Sequence, residues 1–293
     1  MHWAQWYSFL LPSIICLILI TYLPTITGFR YSLTDVTVLG FGEGNFVGFR
    51  NYRVLISSSA FIRAFNNTII LILIGYLVIP LGYILAVLIN SLGRGRVQSF
   101  FRVGFFIPNV ITGISTILLF RHVLLQHGGL LNMALSAITN NTVQIGWLVD
   151  PSINKFGVSI MSIWAAMGYT MLICLTGLQN VPREIYEAAE VDGAGAVQRW
   201  WYITTPNMIG IFIFLFITNT IAGFSRFTDL YVVSNNSASG GAAAALQSLI
   251  MYIYMFSFET PNFGFSSAGA IIVFVIVFVV TMINMRVIKM FNR

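Results

Sequence analysis

Charged residues are scarce in this chain, and those able to do chemistry are concentrated. Of nine acids, four fall in one stretch, REIYEAAEVDGAGAVQRWWYITTP from Arg183 to Pro206: Glu184, Glu187, Glu190 and Asp192. None has a histidine nearby. His2, His122 and His127 lack the i, i+4 spacing at which a helix presents two imidazoles to one metal, and no H-E-x-x-H occurs. Asp35 and Glu43 have neither a histidine partner nor a nucleophile elbow. No G-x-x-x-x-G-K-[ST] is present to cradle nucleotide phosphates. The residue types argue against catalysis in this polypeptide and for recognition through the acidic stretch.

That stretch reads as a short helix between two long apolar segments. Asn180 is placed to cap it, Pro182 suits its first turn, and Glu184 sits near the positive end of the helix dipole. Ala188 and Ala189 leave a face with almost no side-chain bulk, Gly193 and Gly195 loosen the helix, and Pro206 marks the next one. A small-faced helix held between apolar segments is a shape that docks into another protein's groove.

The surrounding composition is that of a membrane protein. Of 293 residues 57% are hydrophobic and 8% charged, against about a quarter charged in soluble domains. The net charge of +6 suits basic loops beside anionic lipid, and no basic stripe interleaved with aromatics points to nucleic acid. Cys16 and Cys174 lie in apolar runs and read as small core hydrophobes.

About six apolar runs are long enough to cross a bilayer, which takes about 20 helical residues. They cover roughly residues 6–29, 67–92, 103–125, 157–178, 206–230 and 263–285, so the chain is expected to be one all-α transmembrane domain over 1–293, with a polar loop over 179–206. The first run has no preceding Lys or Arg and no small-x-small site after it, so it reads as a retained span. Asn66, Asn67 and Thr68 look like a cap for the second. Residues 30–63 and 126–156 read as long connections, and 237–245 (SASGGAAAA) as a loop or a small-residue helix start. Arg94, Arg96 and Arg102 crowd one short loop, Arg183 and Arg199 flank the acidic stretch, and Arg286, Lys289 and Arg293 end the chain. By density this bias predicts that these loops and both termini are cytoplasmic.

Within the spans, Asn219, Gly223 and Arg226 recur at helical spacing and share one face, the candidate lining of a substrate path. Tyr169 on the fourth span is a candidate aromatic platform in that path. Each has a structural alternative. Asn219 can bond a neighbouring helix, Arg226 can pair with Asp229 three residues on, and Tyr169 can be core packing. An ion-gradient-driven transporter is the rival for the whole chain, but it would want acids within the spans, and Asp229 alone lies near a helix end.

The acidic stretch also carries a resemblance. Glu187-Ala188-Ala189, three residues, Gly193, nine residues, Ile203, then Pro206 resembles the EAA loop of binding-protein-dependent ABC importer permeases. The run from Tyr186 to Ala194, YEAAEVDGA, is similar to their carbohydrate-uptake branch, as are Tyr31 to Asp35, Phe46 to Tyr52, and Trp164, Gly168 and Leu178. The family's Phe-Asp-x-Ile-Tyr appears here as Phe227-Thr228-Asp229-Leu230-Tyr231, and Ser234 to Ala238 replaces a Thr-x-Gly-Gly-Pro. The resemblance implies a type I importer permease core in a bacterial inner membrane. It implies a second permease subunit, commonly a different chain, two ATPase subunits that bind ATP and Mg, and an extracytoplasmic solute-binding protein. The cargo would be a sugar or oligosaccharide, with an acidic oligosaccharide or a polyol or glycerol phosphate as alternatives. Tyr186, Glu187, Ala188, Ala189, Asp192 and Gly193 would couple to the ATPases.

Overall fold

The computed structural model describes residues 3–37, 44–93, 95–111 and 113–291, with side chains over 9–286 of that set. His2, Gly40, Gly42, Glu43, Arg94 and Arg293, and the side chain of Lys289, fall outside the described residues. The described chain is helical, and its only β pairing is two isolated bridges. In hydrocarbon no water meets a backbone N–H or C=O, so an apolar segment satisfies both groups within its own helix.

In chain order the helices are α1 (Trp3–Leu17), α2 (Leu23–Ser32), α3 (Arg50–Ser57), α4 (Ser59–Gly75), α5 (Val78–Ser91), α6 (Arg96–Val110), α7 (Gly113–Val123) and α8 (Leu130–Thr139). There follow α9 (Asn154–Gln179), α10 (Arg183–Val191), α11 (Ala196–Arg199), α12 (Thr205–Asn207), α13 (Ile209–Phe224), α14 (Thr228–Val233), α15 (Leu249–Tyr254) and α16 (Phe263–Phe291). Among the described residues, four stretches are long and apolar enough to cross a membrane: Phe9–Ser32, Ser59–Ser91, Asn154–Gln179 and Phe263–Arg286. Two bent pairs, α6 with α7 and the Ala196–Asn207 segment with α13, make up to six if each pair is one span. Several connections are more ordered than their composition suggests. Residues 30–63 hold α3, residues 126–156 hold α8, and Asn67 and Thr68 lie inside α4 instead of opening a helix.

The chain forms two compact units. The first comprises residues 1–63 and 249–276. Its α1 passes Pro12 and reaches α2 through a π turn, Ile18–Tyr22, just ahead of Pro24, whose missing N–H the wider turn accommodates. Side chains on every side of this helix are exposed and apolar, Ile20 at 73% and Ile26 at 67%, a surface that suits lipid. Cys16 is exposed among them and is not a core residue. The end of α2 and the residues after it dock on the segment that leads into α3. Val47 N donates to Leu33 O at 2.9 Å, and Asn45 N donates to Asp35 Oδ1 at 2.6 Å. Asn51 Nδ2 then reaches the carbonyls of Ser32 and Thr34 at 3.0 and 2.8 Å.

The second unit comprises residues 64–248 and 277–293. Its core is the seam of α5 and α9, where Val78, Ile79, Tyr83, Ala86 and Ile89 pack with Met171, Cys174, Leu175 and Leu178. Glycines set the closeness of these helices. A Cβ on Gly82 would stand 2.7 Å from Thr170 Cγ2, and one on Gly168 would stand 2.0 Å from the Phe105 carbonyl oxygen of α6. Met208 and Leu215 bring α13 against the same core. At the far end of α7, Asn132 of α8 is a buried hub. Its Nδ2 lies 2.9–3.1 Å from the carbonyl oxygens of Leu125, Gln126 and Ile145, and its Oδ1 accepts from Trp147 Nε1 at 2.9 Å. Ahead of α9, Asp150 accepts from the hydroxyl and the N–H of Ser152, which holds its carboxyl below the usual carboxylate range.

Candidate functional site

α10 carries every coupling candidate from Tyr186 to Ala189, and none of its residues is buried. Pro182 occupies the cap position, extended at ψ 136°, while Asn180 instead closes α9, its N–H bonding Gly177 O at 3.1 Å. Asn180 therefore ends one helix and does not cap the next. Glu184 lies in the first turn, as the dipole favours. At the other end Gly193 adopts φ +78°, Ala194 N donates to Ala189 O at 2.9 Å, and Gly193 N donates to Glu190 O at 3.1 Å. This is a Schellman closure with glycine at the left-handed position. A Cβ there would meet nothing within 4 Å, so backbone conformation alone demands the glycine.

The exposed surface of this segment mixes charge with bare apolar groups. Arg183 Nε faces Glu187 Oε1 at 3.7 Å, and Arg199 Nη1 bridges Glu190 Oε2 at 3.1 Å. Val191, Val197 and Tyr202 are 88%, 75% and 75% exposed. An open cleft of about 320 Å³ lies beside the end of α10, lined by Asp192, Gly193, Gln198, Arg199 and Tyr202 among others. Exposed apolar side chains on a polar loop mark an interaction surface.

Behind that surface, hydroxyls tie α10 to the long helices. Tyr186 Oη lies 3.0 Å from Thr204 Oγ1, and Tyr83 Oη on α5 lies 3.0 Å from Thr205 Oγ1. Thr204 and Thr205 bracket the end of a π turn, Trp200–Thr204, and each also bonds a carbonyl five residues back. Tyr83 stacks on Trp200 at 6.0 Å and meets Phe212 of α13 edge-on at 5.0 Å. These contacts connect α10 to α5 and α13.

Those two helices help enclose a cavity of about 280 Å³. Asn219, Gly223 and Arg226 line it, joined by Gly75, Val78, Ser162, Ala166 and Asp229. A second cavity, about 440 Å³, shares Ser162, Ala166 and Asp229 and extends to Pro108, Asn109 and Thr116. Asn219 Nδ2 bonds Leu215 O of its own helix at 2.8 Å, so it holds no neighbouring helix through that amide. Arg226 is committed: Nε donates to Asp229 Oδ2 at 2.7 Å and Nη2 to Val158 O at 2.9 Å. Tyr169 lies two turns from Ser162 on α9, 42% exposed, and is not part of either cavity wall. Asp229 and Ser162 are cavity residues that sequence spacing did not single out. The i, i+3 relation of Asp229 to Arg226 was the one available signal.

A cavity between helices is thus connected by side-chain contacts to a solvent-facing, glycine-closed helix. The model of the family described as "Binding-protein-dependent transport system inner membrane component" matches residues 78–290. The chain belongs to that family. As a member it is a multi-pass membrane permease. Over 99% of its length it is 29% identical to the multiple sugar-binding transport system permease protein MsmF of Streptococcus mutans, covering 97% of that protein. It is 30% identical to the probable ABC transporter permease protein YurN of Bacillus subtilis, over 97% of this chain and 95% of that one. The lactose transport system permease protein LacF of Rhizobium radiobacter is 31% identical over 83% of this chain and 79% of its own. The fold is similar to a chain of a bacterial ABC transporter involved in import of the acidic polysaccharide alginate. The TM-score there is 0.81 at 22% identity, covering 99% of this chain and 96% of that one.

Proposed function

We propose that this chain is one of two permease subunits of an ATP-driven importer, forming half of the translocation path for a sugar or oligosaccharide. The observation that carries the reading is α10: without a buried residue, closed by Gly193 at φ +78°, and hydrogen-bonded through Tyr186 to the start of the next long segment. The names of MsmF and LacF support a carbohydrate cargo.

In this reading α10 seats in a groove of an ATPase subunit, which binds ATP and Mg2+ and supplies the energy. ATP binding draws two such subunits together and carries α10 with them. Tyr186 passes the movement to Thr204, and Thr205 and Trp200 pass it to Tyr83 on α5. Because Val78 of α5 and Asn219 to Arg226 of the α13 region line the cavity, its walls move with α10. The cavity opens outward to accept sugar from a binding protein and resets inward after hydrolysis. The basic loops and both termini lie on the ATPase side. No bond is made or broken by this chain.

The experiment is co-purification of the chain with candidate ATPase subunits from the same membrane, for wild type, Glu187→Lys and Gly193→Pro. Wild type retains an ATPase, and both variants lose it while keeping their helical content in detergent. Equal retention by all three, or none by wild type, removes α10 from the coupling role.

A further inference from the structure

We infer that the sugar this path carries is uncharged, and that Asp229 enforces this by neutralising Arg226. The inference rests on the sugar-permease reading above and narrows it to a class of cargo. Arg226 and Asp229 are the charged residues of the first cavity's described lining, and their side chains are only 13% and 21% exposed. A guanidinium this enclosed costs free energy unless paired, and the Asp229 carboxylate with the Val158 carbonyl compensates it. The wall is thus mostly apolar, with Leu71, Ile72, Val78 and Ile163, and its few polar groups carry no net charge. Sugar hydroxyls suit it, since they can accept from the guanidinium and donate to the carboxylate.

A uronate fits this wall badly. To reach Arg226 its carboxylate must come beside that of Asp229, and like charges in a partly dry site repel strongly. The fold likeness to an alginate transporter therefore does not carry over to the cargo. Here the cation that could have met an acid is already occupied.

The test uses the assembled transporter in proteoliposomes: this chain, its partner permease, the ATPases and the binding protein. The probes are labelled neutral trisaccharides (raffinose, maltotriose and arabinotriose) and trigalacturonate. Wild type imports a neutral trisaccharide, and excess trigalacturonate does not inhibit. In Asp229→Asn, neutral import falls at least about tenfold, because the enclosed guanidinium has lost its partner, and trigalacturonate now inhibits. Arg226→Gln combined with Asp229→Asn is uncharged again and insensitive to trigalacturonate. Wild-type import of trigalacturonate in preference to the neutral sugars overturns the inference and leaves the sugar reading standing, as does inhibition of wild type by it. An assembly that hydrolyses ATP and imports neither class overturns both. If Asp229→Asn does not assemble, the wild-type competition decides alone.

Discussion

Tyr186 and Thr204 meet hydroxyl to hydroxyl at 3.0 Å, although 18 residues separate them in sequence. The contact joins the solvent-facing helix α10 to buried Thr204 at the foot of the next membrane segment. Tyr186→Phe removes it with little change in shape. One such bond contributes about 1 kcal/mol net, so the complex should still assemble. Sugar moved per ATP hydrolysed should fall several-fold, measured as the ratio of uptake to phosphate release. An unchanged ratio would assign the coupling to other contacts of α10.

Gly193 offers a separate handle on the same helix. Its φ of +78° costs an L-residue about 1–2 kcal/mol, and open space around it means no clash adds to this. Gly193→Ala should fray α10 and raise amide exchange over 183–194. Gly193→Asn should do so less, since Asn tolerates the left-handed region better. Equal protection in all three would show that the closure is not what holds the helix.

Gly223 lines the cavity with almost no clearance. A Cβ there would lie 2.4 Å from Ile72 Cγ1. Gly223→Ala should cost about 1–3 kcal/mol through overpacking and reduce transport. Adding Ile72→Ala, which removes the offending atom, should restore most of it. That rescue is read as a double-mutant cycle on uptake rates. Failure of Ile72→Ala to rescue would mean the defect is not this contact.

Asn132 tests the order of the connection between α7 and α9. Asn132→Leu strips three carbonyls and an indole N–H of their partner and should lower stability by about 3 kcal/mol. Exposed Asn141→Ala should stay within about 0.5 kcal/mol. Thermal unfolding of the detergent-purified chain compares the two, and similar midpoints would deny Asn132 its role as a hub.

What could be read from the sequence was local. The EAA triplet and Gly193 lie on one short helix and its terminal glycine, and the rest of the spacing runs on to Pro206 along the same stretch. Arg226 and Asp229 are likewise one turn apart, so their pairing could be named as an alternative without coordinates. What escaped was non-local. Nothing near Tyr186 points to Thr204, and nothing near Asn132 points to Trp147. α8 was hidden because Gly128-Gly129 and Asn140-Asn141 made its ten residues read as loop. Asn180 was misassigned because a cap between two helices can serve either, and only the Gly177 bond decides which. Tyr169 shares the right stripe of α9, but a stripe has length as well as direction, and the cavity stops short of it.

The most direct test of the central claim is the energy source for uptake in proteoliposomes holding this chain, its partner permease, the ATPases and the binding protein. Labelled sugar should accumulate with ATP and Mg2+ on the ATPase side and not with an imposed proton or sodium gradient, and Glu187→Lys should abolish it. Uptake driven by an ion gradient in vesicles lacking the ATPases, unaffected by Glu187→Lys, would contradict the account.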